Sequence, residues 1–326
     1  MFSLVFSAAK ASSFLGSAFI SAHRPVLSSR SEVSMTSRSF PLLIALGCTT
    51  FIAVAFAQTS TPTQASCTFN FYQLRSSFFV AGINDFGTLV GSRPSGSSAA
   101  GAIRWANGGV TLVSGTSELS GRNDAGISIG LSQSGGPILL NGTSVTPISL
   151  TIGGIAYTSF NPSGINKWGT IVGTYKDSAG VNHGFKRWSN GNGVTVDYPG
   201  AKATDPLSIN DNGAIVGFYS HFSPPTQSHG FIYHNGQWAT LDYPNTPQYT
   251  SLIGISNAGV IFGDTFDPFF QSPTTAFLYE NGVFKVISAP NYGYVVTNAI
   301  SLRRGLISGA GVASDGTSNP FIAKCN

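Results

Sequence analysis

From residue 78 onward the apolar residues fall in short alternating runs, broken every few positions by Gly, Asn, Asp or Pro, and nowhere with the period of a helix. Alternation of this kind marks a half-buried strand, and the punctuating residues are those that turns use. The pattern predicts many short strands joined by tight turns. The punctuation is itself periodic. In one-letter form the segments GINDFGTLVG, GRNDAGISIG, GINKWGTIVG, SINDNGAIVG, GISNAGVIFG and AISLRRGLISG follow one another along the chain. Their first glycines are Gly87, Gly126, Gly169, Gly213, Gly259 and Gly305, separated by 39, 43, 44, 46 and 46 residues. A second glycine follows four residues later in every copy, from Gly91 to Gly309.

The first five copies share a second half. A short apolar strand (AIRW, PILL, GFKRW, GFIY, AFLY) runs into Asn107-Gly108, Asn141-Gly142, Asn190-Gly191, Asn235-Gly236 or Asn281-Gly282, and another strand follows. Asn-Gly between apolar runs predicts a type I′ hairpin turn, in which both residues take φ > 0. The Asn-Asp-x-Gly segment reads as a second turn. One repeat therefore holds four antiparallel strands. Such a unit cannot bury both faces alone, so the repeats must stack. The prediction is an all-β, six-bladed β-propeller of four-stranded antiparallel blades. The alternative is an open β-solenoid, whose repeats are usually shorter.

The sixth repeat lacks an Asn-Gly turn and a fourth strand, while TFNFYQL (68–74) precedes the first repeat with no partner of its own. We expect this N-terminal strand to close the last blade, which otherwise leaves an exposed edge. Cys67 opens that strand and Cys325 ends the third strand of repeat six. Antiparallel neighbours bring the two together, so a Cys67–Cys325 disulfide is expected; the alternative is a pair of free thiols.

The segment before the repeats changes the picture of where the protein works. Residues 40–57 read FPLLIALGCTTFIAVAFA, with Arg38 before them and Ala55-Phe56-Ala57 at the end. This is a secretory signal with cleavage before Gln58; an uncleaved anchor or a lipoprotein attachment at Cys48 are the weaker readings. Met35 opens the sequence MTSRSF directly before the apolar run, so residues 1–34 read as an upstream extension, 35–57 as the signal peptide, 58–66 as a short linker and 67–326 as a single propeller domain. No stable membrane anchor is then expected after cleavage. Residues 1–57 carry four of the 17 basic and one of the 13 acidic residues, leaving 13 and 12, so the net charge falls from +4 to +1. An argument for a nucleic-acid partner built on the whole-chain charge would be wrong, and no basic cluster supports one. Charged residues are only 9% and hydrophobic ones 42%, which excludes a disordered chain and a helical bundle. A monomer is expected.

The repeat segment, followed by His183-Gly184-Phe185 or His229-Gly230-Phe231 and then by Asp197-Tyr198-Pro199 or Asp242-Tyr243-Pro244, resembles the His-Ala-Phe (HAF) repeat of secreted bacterial proteins. Thr275-Ala276-Phe277 and Asn319-Pro320-Phe321 depart from it, and Gly101-Ala102-Ile103 and Gly136-Pro137-Ile138 fit loosely. The resemblance covers roughly residues 78–325. It implies an extracytoplasmic repeat domain. It implies no reaction and supplies no catalytic residue.

No metal-ligand pair, phosphate loop or nucleophile elbow occurs, so neither cofactor nor metal is called for and no catalytic residue is assigned. Asp85, Asp124 and Asp211 share one repeat position, as do His183 and His229, which points to turn chemistry and to packing or hydrogen bonding. Function is expected in the variable connections, SRPSGSSAA, TYKDSAGVN, FYSHFSPPTQS and DTFDPFFQSPT, which share one face of a propeller. Tyr175, Tyr219, His221, Phe222, Phe269 and Phe270 form the candidate ligand face there, as exposed rings suited to sugars or an apolar partner; the alternative is that they cover blade edges. The leading reading is a non-enzymatic module binding an extracellular glycan or protein. The other is a polysaccharide hydrolase or lyase, with Asp205, Asp264 and Asp267 as the only acids near that face in the later repeats.

Overall fold

The computed structural model describes residues 61–72, 78–96, 98–222, 227–244, 249–265 and 274–325. Residues 1–57 lie outside this set, as do Phe269, Phe270 and Asp267. Among the described residues there is no helix. Six four-stranded antiparallel sheets follow the six repeats, with the strands of blades 1–5 in sequence order and blade 6 built from three C-terminal strands and one from the N-terminal side. The first strands are Phe79–Ile83, Thr116–Arg122, Phe160–Ile165, Ala203–Ile209, Thr250–Ile255 and Tyr294–Ile300. Each meets the first strand of both neighbouring blades, including blade 6 against blade 1, so they form a closed inner ring. The molecule is a six-bladed β-propeller.

The apolar pair after each turn explains why the blades stack. Ile171 packs into the cluster between blades 2 and 3, and Val172 into the one between blades 3 and 4. Leu89 and Val90, Ile215 and Val216, and Ile261 and Phe262 divide in the same way between the preceding and following interfaces. A sheet covered on both faces needs a continuous apolar run rather than strict alternation. The core is therefore six inter-blade clusters in a ring. Phe185, Phe231, Phe277 and Phe321, the third residue of the His-Gly-Phe position, are fully buried in four of them. Each contributes about 2–3 kcal/mol of apolar burial.

Every first strand bulges at one equivalent place, leaving Ala81, Ser120, Ser163, Leu207, Ile253 and Asn298 outside the pairing register. The bulge pushes the carbonyl two residues earlier against the second strand. That carbonyl occupies the space a side chain would need at Gly91, Gly130, Gly173, Gly217, Gly263 and Gly309. The fixed Gly-to-Gly spacing thus has a cause at each end: positive φ at the first glycine, and a close backbone approach at the second.

Strand Cys67–Phe71 pairs antiparallel with Ser318–Cys325 and completes blade 6, with Cys67 opposite Cys325 and the two joined by a disulfide. Two features were not legible. A hairpin, Leu150–Ile152 with Ile155–Tyr157, stands between blades 2 and 3, and Thr63–Gln64 adds a parallel fifth strand to blade 5. The expected type I′ turns occur only in blades 4 and 5, where Asn235 and Asn281 take φ of 50° and 52°. In blade 2, Asn141 pairs with Ser144 and the two-residue loop begins at Gly142, which places the glycine first as in a type II′ turn. In blades 1 and 3 the turn starts at Trp105 or Trp188, and only the glycine has positive φ.

Candidate functional site

The two rims of the ring differ in chemistry. On the loop rim, where second strands pass to third strands and blades to blades, each His-Gly-Phe histidine is locked by the aspartate of the following Asp-Tyr-Pro. His183 Nδ1–H donates to Asp197 Oδ2 (2.6 Å) and His229 Nδ1–H to Asp242 Oδ2 (2.8 Å). The other carboxylate oxygen accepts from Gly184 N–H (2.9 Å) or Gly230 N–H (3.0 Å). Burial works against protonation of His183, but Asp197 and Asp177 outweigh it and raise its pKa; for His229 the Asp242 hydrogen bond is the leading cause of a rise. These histidines are hydrogen-bonding residues, as expected, and among the described residues no cluster fit for a metal occurs.

The candidate ligand face is corrected at two positions. Tyr175 and Tyr219 are only 6% and 5% exposed. They belong to strands Ile171–Lys176 and Ile215–Ser220, which run further than the repeat segment indicates, and there they point into the sheet packing. The Tyr175 ring stacks on His183 (5.3 Å), and its hydroxyl lies 2.8 Å from Thr195 Oγ1. Tyr219 lies flat on Tyr198 (3.6 Å), stacks on His229 (5.4 Å) and shares the Thr240 hydroxyl with Tyr198. A phenol so enclosed offers no stacking surface. His221 and Phe222 are exposed, with His221 edge-on to Tyr219 (5.3 Å). Of the carboxylates on this side, Asp205 stands on the inner strand of blade 4, and burial pushes it up to about 7.

On the opposite rim the Asn-Asp-x-Gly turns form two belts. Asn84, Asn166 and Asn210 each accept, through Oδ1, the N–H groups two and four residues on. The Nδ2 groups of Asn123, Asn166 and Asn210 donate to the backbone of the next turn, Asn166 O, Asn210 O and Ser256 O. The following residue builds the second belt. Asp85 N–H donates to Asp124 Oδ1 (2.9 Å), Lys167 N–H to Asp211 Oδ1 (3.0 Å) and Asp211 N–H to Asn257 Oδ1 (2.8 Å). Arg303 and Arg304 N–H donate to Asp85 Oδ1 (2.9 and 2.8 Å) and join blade 6 to blade 1. The aspartates are structural, as expected, but they act between blades. Burial and the hydrogen bond with Asp85 push Asp124 up to about 6, while Asp85 is held low: burial opposes this, but donation from Asp124 and from Arg304 and Arg303 prevails.

With Asn and Asp engaged in the belts, the third turn position faces out. Trp168 is 64% exposed and Phe86 62%. The neighbouring hairpin turns add Trp105 and Trp188, both part-exposed. In blade 3 the two turns touch: a side chain built on Gly169 would meet Ser189 Cβ at 3.5 Å, so Trp168 and Trp188 flank one surface. Cations lie beside the rings, with Lys167 Nζ 4.4 Å over Trp168 and the Arg122 guanidinium 5.5 Å from Trp105. Sequence reading passed over these residues because they sit inside the repeated turns. The available signal was an aromatic at x of Asn-Asp-x-Gly or its Asn-Lys-x-Gly variant, and Arg-Trp before Asn-Gly.

No family model matches the chain, and no curated protein matches it. Among solved structures it is similar to TolB from Acinetobacter baumannii (12% identity, TM-score 0.43, covering 74% of this chain and 65% of TolB). It is also similar to a putative gluconolactonase (11% identity, TM-score 0.47, covering 81% and 94%). A third is the β-propeller domain of the trilobed protease from Pyrococcus furiosus (10% identity, TM-score 0.45, covering 81% and 82%). The chain thus spans less than two thirds of the length of TolB. The class that the fold defines is the six-bladed β-propeller.

Proposed function

We propose that the protein is an extracytoplasmic HAF-type repeat propeller, exported by the residue 35–57 signal, that binds carbohydrate without transforming it. The observation that carries this reading is the set of exposed rings, Phe86, Trp105, Trp168 and Trp188, held on rigid turns of one rim. Flat apolar faces with a polar edge suit the C–H faces of sugar rings, and turns fixed by belts lose little entropy when a ligand settles on them. The Cys67–Cys325 disulfide supports export, because such bonds persist in oxidising compartments. The binding surface in this reading is the turn rim, with His221 and Phe222 left as the exposed members of the loop rim.

A panel of immobilised polysaccharides tests it, with the double variant Trp168→Ala/Trp188→Ala. Each ring contributes about 1 kcal/mol, so the pair should weaken binding roughly tenfold or more while the melting temperature stays near that of the parent. Unchanged retention would remove the turn rim from consideration. The hydrolase reading rests on Asp205, whose carboxyl near 7 is protonated in part at neutral pH, as a general acid requires. Release of reducing ends by the parent, lost in Asp205→Asn, would favour it.

A further inference from the structure

The charges of the propeller are sorted between its rims. Among the described residues, the strand ends and turns of the turn rim carry nine basic and four acidic side chains, and those of the loop rim three basic and seven acidic. The near-neutral mature chain hides this separation. On the turn rim of blades 1–3 four cations stand among the exposed rings, Arg104, Arg122, Lys167 and Lys186, while Arg187 is buried and donates to Ser149 O and Trp188 O. Only Lys167 of these forms an ion pair with a carboxylate among the described residues, at 3.8 Å from Asp211. Arg122 Nη1 donates to Ser128 Oγ (2.8 Å), and its buried Nε has no partner. Lys186 reaches across to the turn of blade 4, 3.9 Å from where a side chain on Gly213 would start. The acids of the same sector are engaged elsewhere, Asp85 by the backbone of blade 6 and Asp124 by Asp85.

We infer that the turn rim of blades 1–3 is a docking surface for an acidic polysaccharide, with uronate carboxylates beside Arg104, Arg122, Lys167 and Lys186 and sugar faces on Trp168, Trp188, Phe86 and Trp105. This rests on the carbohydrate-binding reading and narrows its ligand class. Charge complementarity selects the anion. The alternation of rings and cations selects a polymer whose repeat offers both an apolar face and a carboxylate. The acidic loop rim repels the same polymer and fixes which side docks.

The test uses the mature protein with two probes of one backbone, polygalacturonate and its fully methyl-esterified form, by biolayer interferometry. The parent should bind polygalacturonate more tightly than the ester. That binding alone should weaken at least about fivefold as salt is raised from about 50 to 300 mM, since exposed charges are screened over roughly 10 Å at 0.1 M. The double variant Lys167→Glu/Lys186→Glu, checked for folding by near-ultraviolet circular dichroism, should lose about tenfold on polygalacturonate and little on the ester. Equal, salt-independent binding of both polymers overturns the charge inference and leaves the carbohydrate reading standing. Binding of neither overturns both. Tighter binding of a single-stranded oligonucleotide of equal charge assigns the surface to nucleic acid and overturns the proposal.

Discussion

Replacing the second glycine of a repeat should be far more damaging than its lack of a side chain indicates. At Gly217 an added Cβ would lie 2.9 Å from Asp205 C and 3.0 Å from Phe231 Cε1, and closer still to Asp205 O. Two of these three atoms are backbone, held by the bulge at Leu207 in a strand wedged between the first strands of blades 3 and 5. The third belongs to a fully buried ring. Nothing nearby can move without disturbing a neighbouring blade, so Gly217→Ala falls at the upper end of overpacking costs, about 3 kcal/mol. For a domain of this size that lowers the melting temperature by roughly 6–12 °C. Gly213→Ala is the comparison. Its φ of +84° carries a left-handed penalty of about 1 kcal/mol, but only Lys186 Nζ lies near, at 3.9 Å. Thermal denaturation followed by circular dichroism at 218 nm (about the β-sheet minimum) reads both. A Gly217→Ala melt within about 2 °C of the parent, or above that of Gly213→Ala, would refute the argument that the bulged carbonyl dictates this glycine.

The Cys67→Ser variant opens a loop of 258 residues, and the chain-entropy model gives a loss of about 5 kcal/mol; calorimetry should find it with the six blades retained, and a loss near zero would show that strand pairing alone closes the ring. Stability should also be greater at pH 5 than at pH 8. Asp124 and Asp205, raised to about 6 and about 7, and His183 and His229, also raised, contribute stability that is present at low pH and lost as pH rises through their folded values. Asp85, held low, acts oppositely and removes stability only below about pH 4. A melting temperature higher at pH 8 than at pH 5 would contradict the assignment, and Asp205→Asn should flatten the slope between them.

The ring was legible because its instructions are local. Gly87 and its equivalents demand a left-handed residue, Asn84 and its equivalents cap the turn, and the apolar pair that follows feeds two interfaces. Ring closure was legible from an unpartnered strand at one end and a missing one at the other. What escaped lies in distances the sequence does not display. The belts join residues 39 to 46 positions apart, so Asp85 and Asp124 read as turn residues until neighbouring turns are side by side. The extra hairpin at Leu150–Tyr157 carries no repeat signal, and the shape of each Asn-Gly turn depends on how many residues its strands leave unpaired.

The burial of Tyr175 and Tyr219 and the rings of the turn rim escaped for a related reason. Variable loops were set against uniform turns, and recognition was assigned to what varies in length. Yet a turn that is uniform in backbone can vary in one side chain at no cost to the ring. Position x of the turn holds Phe86, Ala125, Trp168, Asn212 and Ala258 in successive copies, and where it reaches the next turn it adds a single bond: Trp168 Nε1–H donates to Asp211 O (3.1 Å) and Asn212 Nδ2–H to Asn257 O (3.2 Å). Tyr175 and Tyr219, by contrast, stand at strand ends where the alternation turns them inward, and each phenol is held by a threonine hydroxyl. Tyr175 and Tyr219 thus brace the blades, while the exposed rings of the turn rim add at most one bond to turns that the belts already join. A side chain that the belts do not depend on is the one free to meet a ligand, and in this propeller the exposed rings of that kind stand in blades 1 and 3, beside Arg122 and Lys167.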